Sequence, residues 1–193
     1  MLEDALEKFP VRTTLSDETP ITIRPMEAGD EGAFRDFHTV IPDQEQLFLR
    51  NQIKDGTLFK EWMSDPEGGE HLPLLTFIDG KLTAMAYLHQ PRGGWKRHIG
   101  GVTFLTHPDF KGLGLIDHLL KEVIELAQHC GLTKLESEIN GERVSAIESL
   151  GMVGFRELLR LPHYVQDMKG RSHDYVLMGM NLVASFEYLG AGD

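Results

Sequence analysis

Hydrophobic and polar positions change period several times along this chain, and each change marks an element. Residues 20–26, PITIRPM, alternate apolar and polar as a strand does. Residues 27–40 and 43–54 carry helical spacing. The second of these opens on Asp43 with Gln46 three positions on, a capping-box pattern, and Asp55-Gly56 ends it. Runs 74–78 and 81–88 flank Asp79-Gly80, the strongest short-range hairpin signal. Residues 99–106 read as a further strand, with Gly100-Gly101 marking a bulge. A loop over 107–114 leads into 115–129, a strongly periodic helix closed by Gly131. Residues 133–139 then alternate, placing Leu135, Ser137 and Ile139 on one face and Glu136 and Glu138 on the other. A short helix over 142–151 follows. Two long strands, 155–165 and 172–180, are joined by the turn Asp167-Met168-Lys169-Gly170.

Outside these elements the signal is thinner. Leu2, Leu6 and Phe9 share a helical face, so residues 1–19 read as a short helix packed on the domain, then a linker. Residues 61–70 read as a loop, and 184–193 as a tail. The order of strands and helices predicts one α/β (α+β) domain over 20–183, a mixed sheet with helices on its faces.

Composition narrows the function. The 193 residues carry 19 Lys+Arg against 30 Asp+Glu, a formal charge of −11, which opposes binding to nucleic-acid phosphates and mildly favours a cationic partner. No apolar run reaches the roughly 18 residues of a membrane span. No basic, apolar leader pattern opens the chain, so a cytoplasmic location is expected. Cys130 is the single cysteine, which excludes an intrachain disulfide and reads as a buried, inert thiol. The nine histidines show no metal-ligand spacing along the chain, and no metal is expected. His118 and His129 lie roughly 16 Å apart along one helix, too far to share an ion. His107 and His173 read as turn residues, and Trp62 and Trp95 as loop residues. Trp95 is flanked by Arg92, Lys96 and Arg97 and could rim a site.

The loop Lys111-Gly112-Leu113-Gly114, between a strand and a helix, is where a chain can seat an anion. Helix N-termini present unpaired N–H groups, and glycines let backbone approach a phosphate. The spacing is neither a P-loop nor a Rossmann fingerprint. On physics alone, an anion cradle and a plain tight turn stay equally open.

Three stretches together resemble the GNAT superfamily of N-acetyltransferases. Residues 106–116, THPDFKGLGLI, followed by Leu119-Leu120, resemble its acetyl-CoA pyrophosphate loop. Lys111 stands at the Gln/Arg position and Gly114 at the main glycine, while Ile116 departs from the final Gly/Ala. Ser137-Glu138-Ile139, Arg143, Ala146-Ile147 and Gly154-Phe155 resemble the strand–helix motif that follows. Asp167 to Met178 resembles the closing hairpin. The nearest likeness is to the ribosomal-protein alanine N-acetyltransferase branch.

The resemblance implies a mostly antiparallel sheet of about seven strands, with a V-shaped splay between two central strands. It also implies acetyl-CoA as cosubstrate and a primary amine as acceptor. Phe104, Leu105 and Thr106 would line the cofactor, with a backbone N–H near Leu105 or Thr106 holding the thioester carbonyl. Lys111, Gly112, Leu113, Gly114, Leu115, Ile116 and Asp117 would hold the pyrophosphate, and Arg143 stands where an Asn usually meets the pantetheine arm. Glu138 is the implied base, with Glu136 its rival. An acceptor lysine is neutral in only about one molecule in 2,500 at pH 7, so a base helps, and burial would raise its pKa toward that task. The family's proton-donating Tyr falls on Leu150, and Tyr164 is a substitute donor or else a core aromatic. Three readings follow: an acetyltransferase, possible as a homodimer; a catalytically degenerate acetyl-CoA-binding regulatory module; and an interaction domain without cofactor.

Overall fold

The computed structural model describes residues 2–42, 45, 57–64, 70–91 and 93–182. Helix α1 (Leu2–Glu7) and strand β1 (Val11–Thr14) open the chain. They are followed by β2 (Pro20–Pro25), a 3-10 turn (Ala28–Asp30), α2 (Glu31–Val40) and α3 (Thr57–Ser64). A hairpin of β3 (His71–Ile78) and β4 (Lys81–His89) leads to β5 (Ile99–Thr106) and a 3-10 turn (Pro108–Phe110). The chain continues through α4 (Leu115–His129), β6 (Lys134–Asn140), α5 (Val144–Met152), β7 (Arg156–Gln166) and β8 (Ser172–Asn181).

Among the described residues, eight strands form one sheet in the order β1-β2-β3-β4-β5-β6-β8-β7. Every pairing is antiparallel except β5 with β6. That parallel pairing covers only Ile99–Lys134, Gly100–Leu135 and Gly101–Glu136. Beyond Gly101 the two strands part, which is the expected splay. Ser137 marks the branch point, where its buried hydroxyl donates to the Val102 carbonyl at 2.8 Å.

Each face of the sheet carries its own core. On one face Leu119, Leu120, Val123 and Leu126 of α4 meet Leu74, Leu88, Leu135 and Ile139. On the other, Phe34, Phe37, Leu58, Phe59 and Trp62 of α2 and α3 cover Leu75, Met85 and Leu105. The period-2 alternation of β4 and β5 sends neighbours to opposite cores. No helix among the described residues is long and apolar enough to cross a membrane.

Several local expectations change. Residues 11–14, read as linker, pair with β2 from Val11–Ile23 to Thr14–Pro20, so the sheet has eight strands among the described residues. Trp62 is not in a loop; it is buried on α3. His173 is not a turn residue but a buried position of β8. Gly100-Gly101 makes no bulge with β4; the irregularity lies in the β3–β4 hairpin at Thr76/Phe77. Gly100 instead lets β5 pass close to its neighbours, since a Cβ there would meet Leu132, Leu88 and Leu135 methyls at 2.7–2.9 Å. The helix expected over 43–54 lies outside the described residues apart from Glu45.

Candidate active site

The splay opens the edge of β5 that faces β6. Val102 turns its carbonyl toward β6, so strand alternation puts the backbone groups of Phe104 and Thr106 on that same edge. Leu105 pairs with Met85, turns its backbone to β4 and buries its side chain under α2. Of residues 104–106, Phe104 and Thr106 thus present backbone on the open edge and Leu105 does not.

Past β5, His107 caps the 3-10 turn, its Nδ1 accepting from the Asp109 N–H at 3.2 Å. Burial, and then the Lys81 charge, lower the pKa of this ring against the pull of Asp109. Gly112 (φ 79°) and Gly114 (φ 78°) then take left-handed backbone that side chains resist. A Cβ at either would meet nothing within 4 Å, so open space lies beside both glycines. Gly114 is the N-cap of α4, a helix of 15 residues, and supplies no side-chain cap. The first N–H groups of such a helix lack partners within it. Leu113 is exposed, Leu115 is buried, and Asp117 sits in the first turn. Ile116, the departure from the family pattern, buries its side chain in the α4 core, so its bulk stays out of the loop.

A residue that sequence reasoning missed joins this loop to α5. The Glu45 carboxylate pairs with Lys111 Nζ and lies 3.5 Å from an Arg143 Nη. Arg143, just before α5, is largely buried and sits 6.0 Å over the Phe104 ring. Burial lowers the Arg143 pKa, and the Glu45 charge acts against it. Two cations at the mouth of the splay thus already hold an anionic group. No motif marks Glu45; only the fold brings residue 45 beside residues 111 and 143.

Glu138 lies on the opposite face of β6 from Leu135 and Ile139, and it is exposed; the burial anticipated for it is not found. Glu136 shares that face and binds Lys96 at 3.2 Å. Leu150 is fully buried and carries no donor. Tyr164 is not a core aromatic. It is 67% exposed on the edge strand β7, with β8 between it and β6. Trp95 is exposed in the β4–β5 loop. Cys130 is partly buried, and burial pushes its thiol up to about 11.

Residues 36–155 match the family model described as the acetyltransferase (GNAT) family. The chain belongs to the GNAT acetyltransferase family. Its members are acetyl-CoA-dependent acyltransferases. Solved structures agree on the fold. The yncA protein of Salmonella typhimurium, solved with acetyl-CoA, shares 21% identity at a TM-score of 0.72, covering 84% of this chain and 94% of that one. The ribosomal-protein-S18-alanine N-acetyltransferase of Escherichia coli shares 20% identity at 0.65, covering 88% and 98%. The ribosomal-protein-alanine N-acetyltransferase of Brucella melitensis shares 21% at 0.71, covering 83% and 99%. No curated protein matches the sequence.

Proposed function

We propose that this GNAT protein acetylates a primary amine (a peptide N-terminus, a lysine or a small amine), with the cofactor held at the β5–β6 splay. The observation that carries the reading is the splay itself. Strands β5 and β6 separate after Gly101, directly beside a glycine loop that opens onto the N-terminus of α4. The residues present fit acetyl-CoA. Left-handed Gly112 and Gly114 border open space, Ile116 points away from it, and Lys111 and Arg143 carry charge of the right sign. When bound, acetyl-CoA supplies an acyl thioester, an acetyl carbon open to attack by a neutral amine.

This chain's residues would divide the remaining work. Phe104 and Thr106 present backbone groups along the splay, suited to pair with an extended amide-bearing arm. Lys111, Arg143 and the first turn of α4 hold negative charge. Glu138 lies on the opposite face of the sheet, reached through the splay, and takes the proton from the acceptor ammonium, directly or through a water. Its exposure suits an acceptor that arrives from solvent and completes the enclosure. The net charge of −11 favours a cationic acceptor. A homodimer would use β7, an edge strand that exposes Leu158, Leu159 and Tyr164.

The test is calorimetric titration with acetyl-CoA and CoA, followed by turnover of an amine panel. Micromolar binding with turnover supports the reading. E138Q should then keep cofactor affinity and lose about 100-fold or more in kcat. An unchanged kcat would remove Glu138 from the chemistry. The absence of a donor at Leu150 favours a second reading, a cofactor-binding regulatory module, which predicts binding without turnover of any amine. No binding of either ligand would sink both.

A further inference from the structure

The β3–β4 hairpin places two histidines against each other well away from the glycine loop. His71 and His89 are direct partners in the antiparallel register, on the face that carries Met85 and Tyr87. Their ring centroids are 4.8 Å apart and their planes 28° from parallel. Side chains directly opposite in such a pair start from Cβ atoms about 4.5–5.5 Å apart, so both imidazoles reach one point without backbone movement. Glu70 precedes β3, and the Gln90 N–H donates to its carbonyl at 2.8 Å, which closes the open end of the hairpin. One ligand atom each from Glu70, His71 and His89 lies within 4.8 Å of the other two.

The surroundings favour an ion at that point. His89 Nδ1 is buried with no hydrogen-bond partner among the described residues. Buried ring nitrogens are ordinarily satisfied, and a metal ion is one way to do so. The Trp62 ring stacks over His71 at 6.0 Å, and Tyr87 packs on Trp62 at 4.8 Å, forming an aromatic wall on one side. Gly101 lies beside His89, where even a Cβ would come to 3.8 Å of its side chain, so β5 leaves the imidazole room.

We propose that Glu70, His71 and His89 bind a first-row divalent metal ion, with zinc the best match to two imidazoles and one carboxylate. Tetrahedral bonds of about 2.0–2.1 Å require ligand atoms roughly 3.4 Å apart. The three side chains therefore close in by at most about 1.5 Å, within the reach of χ rotation. Three protein ligands leave a fourth position for water. The ion clips the open end of the β3–β4 hairpin beneath Trp62 of α3. No spacing along the chain marks such a site, because hairpin register rather than a helical repeat joins its ligands. The expectation of no metal, drawn from motif spacing, does not reach it.

The full-length chain, stripped with a chelator, is titrated with Co²⁺ and followed by visible absorption, then challenged with Zn²⁺. The expected result is one Co²⁺ per chain with the intense d–d bands of a four-coordinate ion, displaced by Zn²⁺. Losing an outer-shell partner alone costs 10–100-fold in affinity, so E70Q and H89A should each cost at least about 100-fold. Zn²⁺ should raise the unfolding midpoint of the wild type and leave that of E70Q in place. Glu70 lies outside the strand ladder, so E70Q carries the test even if H89A does not fold. Wild-type binding no stronger than that of E70Q, or full affinity in both variants, would overturn the site. Cofactor binding and turnover do not enter either readout.

Discussion

Glu45 is the residue whose position most changes the picture of the proposed cofactor mouth. Its carboxylate holds Lys111 and faces Arg143, the two side chains best charged to meet a diphosphate. An incoming anion must compete with it. E45Q should therefore tighten acetyl-CoA binding. Partly exposed ion pairs are worth about 0.2–1 kcal/mol, so the gain is about 1.4- to fivefold at low salt and smaller at high salt. Weaker binding by E45Q would mean that the carboxylate instead positions the two cations. A second residue makes the stability of the fold depend on acid. His38 is buried on α2, and its Nδ1–H donates to the Phe34 carbonyl at 2.7 Å. Burial lowers its pKa to about 4, against the effect of that hydrogen bond. The unfolded chain takes up a proton near 6.5 and the folded chain does not until about 4. Stability contributed by neutral His38 is therefore complete above about pH 6.5 and falls as pH drops toward 4, by about 3 kcal/mol in all. Urea unfolding between pH 7 and 4 should show this slope, and H38Q should flatten it.

Among elements, the β7–β8 turn shows how a motif acquires its physical meaning. Asp167 Oδ1 accepts from the Lys169 and Arg171 N–H groups at 2.8 and 3.0 Å. Its Oδ2 meets Arg171 Nε at 3.0 Å and His173 Nε2 at 3.2 Å. Burial works against the charge, yet these donors hold the carboxyl far below the usual carboxylate range. D167A leaves the buried His173 ring and three partly buried N–H groups without their acceptor and should cost about 1–3 kcal/mol in chemical unfolding, where D167N loses less. The sequence announced the helix 115–129 to the residue and this turn to within one, because each carries its own local signal: an apolar stripe along Leu119, Leu120, Val123 and Leu126, and Gly170 at φ 78°. Strand β1 was silent, since Val11–Thr14 is short and mostly polar and becomes a strand only by pairing with β2. Helix α3 was hidden for a similar reason. Leu58, Phe59 and Trp62 gain helical meaning from the aromatic cluster they complete with Phe34. In the candidate site the glycine loop was legible because backbone conformation restricts residue type there. Glu45 and the His71–His89 pair were not, because long-range register alone assembles them.

At the scale of the whole molecule, the first nineteen residues decide where the folding unit begins. Read alone, they are an appended helix and linker. In the fold, Ala5 and Leu15 are buried in the same core as α4, with Leu6, Phe9 and Val11 packed against it. Lys8 reaches Glu122 and Glu125 of α4 at 2.7 and 2.8 Å. Strand β1 covers the outer edge of β2, which carries the buried Ile21 and Ile23. Removing residues 2–14 should therefore do two separable things. Loss of the apolar contacts should lower the stability of the domain by about 3 kcal/mol or more, since burying one large apolar side chain is worth about 1.5–3. Exposure of the β2 edge should promote strand-to-strand association, seen as concentration-dependent species in size-exclusion chromatography. A terminal segment merely attached to a finished domain would leave both readouts unchanged. The proposed cofactor cleft supplies an internal control, because the splay lies between β5 and β6, on the far side of β3 and β4 from the deleted strand. The shortened chain, while folded, should still bind acetyl-CoA with affinity close to that of the full chain. Loss of stability with binding retained would place residues 2–14 inside the folding unit but outside the site.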